Sequence, residues 1–432
     1  MHDLKQIAAA ALAALRARGA DKAQCAARFT ETHEFNVDGG KFSLFRTLFD
    51  NSLSLTAIRE GRRGSVSVNR FDDASIAAAA ENCLAIAASG EADPAWDFAP
   101  ETDNAAFSDG EPEADLDQLF DRTEELMRDI AERHPKILME QMIVAHKKIT
   151  SVYQNTLGAA YSRLYGCYEI ELMFSAHEGE KASSFFGSYV CTDSLEAPFI
   201  TLGSIEEDLS NVERQLDTVP LDGKFVGVAL LPPSSLGEFL GSLLGNFTGD
   251  GVLLDGTSLW KDKLGQTVAD ARVTISSAPL DPRIVCGERW TGEGYPSEDY
   301  DIIRDGVLKS FMLSDYVSRK TGLPRAKNSA GAIIMQNGET PLSEIIAGIE
   351  RGIWVGRFSG GEPGTSGDFS GVAKNSFLIE NGKITAALSE TMISGNLAQI
   401  LQNVAAISRE TVADGSCVLP YAAFGGVTVS GK

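Results

Sequence analysis

The side chains best suited to metal or proton chemistry near neutral pH are the histidines, and the chain carries five: His2, His33, His134, His146 and His177. Two of them open a His-Glu dipeptide, His33-Glu34 and His177-Glu178. On a helix, such a dipeptide with a second histidine one turn later holds a divalent ion, and the glutamate activates a water. Neither dipeptide here has that second histidine, and both lie in strand-like sequence, where adjacent side chains point to opposite faces. His33 and His177 are therefore expected to bind no metal. Six cysteines, Cys25, Cys83, Cys167, Cys191, Cys286 and Cys417, are scattered without a C-x-x-C pair and are expected to be reduced, mostly buried thiols. There is no phosphate-binding G-x-x-x-x-G-K-[ST] loop, no G-x-S-x-G elbow and no dinucleotide fingerprint. The glycine-rich stretch Ser359 to Gly371 lacks the lysine and following helix of an anion cradle and is expected to be a flexible or extended loop, with Asp368 and Phe369 at the edge of a cleft. Gly237, Gly241 and Gly245 recur at intervals of four in an otherwise apolar helical segment. Each costs about 1 kcal/mol against alanine in a helix interior. The ridge therefore marks either close packing of the helix or room beside it for a peptide or partner.

The elements that would position these residues follow from periodicity and punctuation. Leu4, Ile7, Ala8, Ala11, Leu12 and Leu15 repeat at helical spacing behind Asp3, whose pairing with Gln6 makes a capping box. Residues 24–69 alternate as strands, with Gly39-Gly40 and Gly61-Arg62-Arg63-Gly64 as turns. Asp72 and Asp73 open an alanine-rich helix. The segment 90–113, acidic and rich in Pro, Ala and Asp, predicts a surface linker, and a charged helix ends at His134-Pro135. Strands return from Lys136 to Cys191, a helix covers 204–217 and a strand 224–231. The helix Ser235 to Phe247 follows, with its stripe Leu236, Phe239, Leu240, Leu243, Leu244 and Phe247 and a capping box from Ser235 and Glu238. Asp305-Gly306, Asn337-Gly338 and Asn381-Gly382 predict hairpin turns, and Gly395-Asn396 opens a helix over about 396–407.

The predicted class is α+β: an N-terminal α/β-type domain over 1–90, an acidic linker and helix over 91–135, a central strand-rich region over 136–220 and a C-terminal domain over 221–432. The last is expected to be built on a large, curved, mainly antiparallel sheet with packed helices. With 432 residues, 43% of them hydrophobic, the chain can bury a substantial core. Its formal charge of −22 repels phosphate, and no basic run offsets it, which argues against nucleic-acid binding. No apolar run approaches the length of a membrane span, and the alanine-rich N-terminus reads as an amphipathic helix rather than a signal peptide. A cytoplasmic location is expected.

Longer stretches carry a family resemblance. The segment TETHEFNVDGGKFSLFRTLFDNSLSLTAIREGRRGSVSVNRFD resembles the N-terminal domain of TldD/PmbA metalloproteases, also called modulators of DNA gyrase. Five ordered motifs are similar to the family's C-terminal domain. They are Gly256-Thr257-Ser258-Leu259 with Lys263-Leu264-Gly265, the run Arg304 to Phe311, the run Ser376 to Gly382, Ile393 to Asn396 and Val427 to Gly431. The catalytic branch carries His-Glu-x-x-x-His on a helix just before its Gly-Thr-Ser segment. Gap-free pairing back from Gly256-Thr257-Ser258 puts Gly241, Ser242 and Asn246 at those three positions. Glycine offers no ligand, serine is no general base near neutral pH, and an amide is a poor zinc donor.

The resemblance thus implies the PmbA/TldE branch, which lacks the motif: no catalytic residue, no metal ligand and no cofactor on this chain, with zinc held only by a partner. It implies a heterodimer with an HExxxH-bearing TldD-like homologue, or a homodimer, acting on unfolded peptides or small proteins. Gly237, Gly245, Asp368 and Phe369 are the candidate peptide-cleft residues. Cys417 falls where the catalytic branch uses a cysteine, but Gly415-Ser416-Cys417 is similar to the inactive branch's closing segment, so a structural thiol is expected. The competing readings are a homodimeric peptide- or protein-binding protein without protease activity, and a self-sufficient peptidase with unrecognised residues.

Overall fold

The computed structural model describes residues 3–361, 363–389 and 391–431, so His2 lies outside the described residues. The chain is α+β, with two large sheets and helices packed on them. Helix α1 (Leu4–Ala17) begins where the sequence predicts: the Asp3 carboxylate accepts the amides of Lys5 and Gln6, and Leu4, Ala8, Ala11, Leu12 and Leu15 are buried. Asp72 caps α2 (Asp73–Ser89) in the same way through the Ser75 amide. Both helices cover one end of the first sheet, over Ala23, Cys25, Ala27, Leu53 and Leu55.

That sheet contains β1 (Lys22–Asp38), β2 (Lys41–Arg59), β3 (Arg62–Val68), β4 (Ala105–Gly110), β5 (Ile137–Asn155), β6 (Ala160–Glu178), β7 (Lys181–Ala182) and β8 (Phe186–Thr192). The order is β3-β2-β1-β5-β6-β4, with β7 and β8 also paired to β6. Pairing is antiparallel except for β4, which runs parallel to β6. Strands as long as the 19 residues of β2, β5 and β6 accumulate twist, and the sheet curls into a half-barrel. In β1 the buried positions change from odd (Ala23, Cys25, Ala27) to even (Thr32, Glu34, Asn36). The two ends of the strand are thus covered on opposite faces. The far end packs with α3 (Leu116–Arg133) and α4 (Ile205–Glu213).

The second sheet is mixed and mainly antiparallel. It begins with β9 (Thr218–Pro220) and β10 (Lys224–Leu231), which leads into α5 (Pro233–Thr248) and α6 (Asp250–Leu254). There follow β11 (Ile275–Ser277), β12 (Tyr300–Arg304), β13 (Val307–Leu308), α7 (Asp315–Thr321), β14 (Ile333–Met335), α8 (Leu342–Ala347), β15 (Arg351–Trp354) and β16 (Arg357–Ser359). The chain then forms β17 (Asp368–Lys374), β18 (Ser376–Glu380), β19 (Lys383–Ser389), β20 (Thr391–Asn396), α9 (Leu397–Ile400), β21 (Val404–Ala413) and β22 (Val418–Ser430). The long strand β22 is the organising element. It pairs antiparallel with β10, β20 and β21 and parallel with β14.

Some local expectations are corrected. Of the glycines 61 and 64, only Gly61 makes the turn, together with Glu60, both at positive φ. Gly64 lies within β3, where a Cβ would stand 2.0 Å from the Cys83 carbonyl oxygen of α2. Asp305-Gly306 and Asn381-Gly382 are hairpin turns with φ positive at both residues. Asn337-Gly338 is not: Gly338 is pressed against β21, with the Ile407 carbonyl 2.2 Å from where its Cβ would be. The helix expected over 396–407 is the single turn α9, capped by Asn396, because Val404 already belongs to β21.

The segment expected to be a surface linker ties the two halves together. Trp96 stacks on Tyr316 at 3.7 Å. Asp93 accepts from the Tyr316 hydroxyl (3.0 Å) and pairs with Lys320 (2.9 Å), while Asp97 pairs with Lys22 (2.6 Å) and Arg319 (3.3 Å). Ala95, Phe98 and Ala99 are buried. The acidic composition reads as solvent-facing, but Asp93 and Asp97 pair with cations from both halves.

Candidate functional site

Helix α5 is the element on which the family's chemistry would stand. Pro233 occupies its first turn, where a missing amide hydrogen is harmless and φ is already helical. Ser235 is therefore inside the helix rather than its cap. Its hydroxyl donates to the Gly356 carbonyl at 2.7 Å, and the expected box with Glu238 does not form the cap. Leu236, Phe239, Leu240, Leu243, Leu244 and Phe247 are all buried in the main core of the second half, beside Trp260 and Phe424.

The opposite face carries the glycines, and they are not alike. A Cβ on Gly237 would meet Leu419 of β22 at 3.3 Å, so this position belongs to close packing. Gly241 and Gly245 are exposed, and a Cβ on either would meet nothing within 4 Å. Packing accounts for the first glycine only. The other two leave a bare stretch of helix backbone beside open space.

Ser242 and Asn246 are half-buried on the same helix. The Asn246 amide donates to the Ser242 carbonyl one turn back and to the Pro363 carbonyl, both at 2.9 Å. It thereby fastens the glycine-rich loop to the end of α5. Further along that loop, Asn396 donates to the Ser366 carbonyl (2.8 Å) and to the Asp368 carboxylate (2.9 Å). The Leu397 amide donates to the Gly367 carbonyl at 2.8 Å. Asp368 is exposed at the start of β17, near the loop. Phe369 is not a cleft residue: it is buried, packing edge-on against Phe239 (5.2 Å) and Phe358 (5.8 Å).

The donor set of α5 does not fit a metal. It offers no imidazole, carboxylate or thiolate at positions 241, 242 and 246, and its one amide is committed to carbonyl oxygens. The other candidates from the sequence, His33, His177 and Cys417, have neighbours of their own. His33 lies on β1 between the Thr47 hydroxyl and the Glu31 carboxylate, each at 3.0 Å, and His177 on β6 contacts the Ser175 hydroxyl at 3.0 Å. Cys417 packs against the main core just before β22, and burial pushes its thiol pKa up. Among the described residues, one group of three potential ligands converges, Cys167, Glu169 and Cys191, and it includes none of these residues. Neither spacing nor motif in the sequence points to it.

Residues 26–87 match the model of PmbA/TldA metallopeptidase domain 1, and residues 227–431 match that of the PmbA/TldA metallopeptidase C-terminal domain. Together the two ranges cover more than half of the chain. It belongs to the PmbA/TldD metallopeptidase family.

Among its relatives, the metalloprotease PmbA of Escherichia coli O157:H7 is 25% identical over 419 residues, spanning 90% of this chain and 86% of that protein. The zinc metalloprotease TldD homolog of Saccharolobus solfataricus is 27% identical over 224 residues, 48% of this chain and 50% of that one. In fold, the chain is similar to TldE from Thermococcus kodakarensis, with a TM-score of 0.82 and 19% identity over 99% of this chain and all of the other. Within this PmbA/TldD member, the two matched ranges coincide with β1–α2 and with nearly all of the second sheet, so α5 lies inside the family's C-terminal domain.

Proposed function

We propose that this chain is a non-catalytic, PmbA/TldE-like subunit of a cytoplasmic metalloprotease complex. In this reading it pairs with an HExxxH-bearing TldD-like homologue, which supplies the peptidase zinc. It helps shape the chamber in which unfolded peptides or small proteins are cut. The observation that carries the reading is the state of α5. Gly241, Ser242 and Asn246 stand where the catalytic branch has its ligands and general base, and the asparagine amide serves to hold a loop instead. The scaffold is otherwise kept, including the open flank beside Gly241 and Gly245. Association through equivalent surfaces of homologous chains gives a pseudo-two-fold dimer, and exposed Val226 and Met392 on adjoining parts of the second sheet offer apolar contact for it. No helix among the described residues is long and apolar enough to cross a membrane.

Co-expression with the HExxxH homologue from the same genome, followed by size-exclusion chromatography and a peptide-cleavage assay, tests this. The expected outcome is a mixed complex whose peptidase activity disappears with chelator. Gly241→Trp should lower that activity several-fold while leaving complex formation intact. If the chains elute separately and the homologue is fully active alone, the subunit reading is wrong. A second reading, a homodimeric peptide- or protein-binding protein, would then take its place. It draws support from the exposed Leu44, Phe45, Leu48 and Phe49 on β2.

A further inference from the structure

Three potential ligands from two strands converge where the two halves touch, with a fourth, Cys286, beside them. On β6, Cys167 and Glu169 are two residues apart and so share one face of the sheet. Cys191 of β8 is the direct cross-strand partner of Glu169, and Lys147 of β5 is that of Cys167. One ligand atom each of Cys167, Glu169 and Cys191 lies within 4.8 Å of the others. From the second half, Cys286 arrives on a loop whose amides at Val285 and Cys286 donate to the Gly415 carbonyl (2.8 and 2.9 Å). The neighbouring Asp414 carbonyl accepts the Cys191 amide at 2.8 Å, so the same turn positions both thiols.

The surroundings are those of a ligand set rather than of apolar filler. The Tyr165 hydroxyl is 3.8 Å from the Cys191 sulfur and 4.0 Å from that of Cys286, and the Tyr189 hydroxyl is 3.9 Å from Cys286. Phenolic hydroxyls so placed can donate to thiolates and orient them. The Lys147 ammonium pairs with one oxygen of Glu169 and brings a positive charge to the edge of the cluster. A cysteine acting only as a small hydrophobe needs neither a carboxylate nor an ammonium beside it. A tetrahedral ion with metal–sulfur bonds of about 2.3 Å requires donors roughly 3.8 Å apart, a contraction from the 4.8 Å within which the Cys167, Glu169 and Cys191 donors lie. Cys167 and Cys191 are 1% and 2% exposed while Cys286 faces solvent, which gives the site a closed floor and an entry side.

We propose that Cys167, Glu169 and Cys191, closed by Cys286, bind one thiophilic divalent cation of the zinc class and so clamp the first sheet to the second half. The sequence-based expectation of a zinc-free chain rested on histidine spacing; this site uses no histidine. It also stands apart from the subunit reading, since it involves no residue of α5 and no partner.

The test uses the full chain, purified with reductant and stripped of metal by chelator, titrated with Co2+ and then with Zn2+. The expected result is thiolate-to-cobalt charge transfer with intense visible bands of a tetrahedral ion, saturating at one Co2+ per chain and bleached by Zn2+. Cys191→Ser should abolish the charge transfer. Cys286→Ser, at an exposed position that leaves the buried pair intact, should weaken cobalt affinity at least tenfold without changing the circular dichroism. Tyr189→Phe, removing an outer hydrogen bond, should weaken it by about tenfold. Cys25→Ala, in the separate core under α1, should leave the spectrum unchanged. Absence of charge transfer in the parent chain would overturn the proposal. So would identical titrations of the parent and Cys286→Ser, or a disulfide among these cysteines as the resting state under reductant.

Discussion

Asp208 shows how much a single buried group can govern. It sits on α4 almost without solvent contact, accepting the hydroxyls of Ser188 and Ser204 at 2.7 Å each. Burial raises its pKa from the ordinary 3.8 to about 7, and the two hydroxyls offset only part of that. A raised carboxylate contributes stability that is complete below its unfolded pKa and drains away as pH climbs to its folded pKa. The loss should therefore run from about pH 4 to about pH 7. Asp208→Asn is expected to melt higher than the parent at about pH 8, with the gap closing near pH 4. Thermal midpoints across that range check it, and parallel curves would contradict it. Sequence could not single out Asp208, because its burial depends on α4 docking against β8. The placement of Gly241, Ser242 and Asn246 on one helix was legible, since it follows from local periodicity. Phe369 was misplaced because strand alternation does not say which face meets the core.

At the level of elements, start signals were the most readable. Asp3, Asp72 and Asn396 all cap helices where the sequence puts them. Where a tertiary contact competes, local signals lose. Ser235 donates to Gly356 instead of capping, and the apolar run after α9 becomes β21 because β22 offers it an antiparallel partner. The loop 359–371 belongs here as well. Its composition predicts a flexible or extended segment, yet Asn246 and Asn396 fasten it at two points. Asn246→Ala removes one fastening from a half-buried position, and its cost to global stability should be about 1 kcal/mol. Amide exchange of residues 364–367 should speed up severalfold, with that of α5 unchanged. Unchanged exchange in the loop would mean that the Asn396 end alone holds it.

The whole molecule is joined by more than chain connectivity. The segment 91–113 supplies Asp109, whose carboxylate is shared between Arg163 of the first sheet (2.6 Å) and Arg289 of the second half. Burial works to raise the Asp109 pKa, but the two guanidinium groups outweigh it and hold the carboxyl below its usual range. Trp96 against Tyr316 adds an aromatic contact across the same boundary. Combining Asp109→Asn with Trp96→Ala should lower the thermal midpoint and split the calorimetric transition into two. A single transition at the parent's temperature would show that the segment carries no such role. This organisation was hidden in the sequence because a carboxylate awaiting water and one awaiting a distant arginine have the same composition. The convergence of Cys167, Cys191 and Cys286 was hidden for a similar reason. Only the i, i+2 spacing of Cys167 and Glu169 was local.

The placement of β22 also sets an order of events during synthesis. The first sheet has all its strands once Thr192 has left the ribosome, before any strand of the second sheet is made. The second sheet is different. Strand β10 and the apolar stripe of α5 emerge early, but their neighbour β22 is translated only after every other strand of that sheet. Until then the nascent chain carries an open strand edge and uncovered Leu and Phe side chains, the features that chaperones bind and aggregates recruit. Slowing translation should therefore lower the yield of soluble chain, and a supply of holdase chaperone during that interval should restore it.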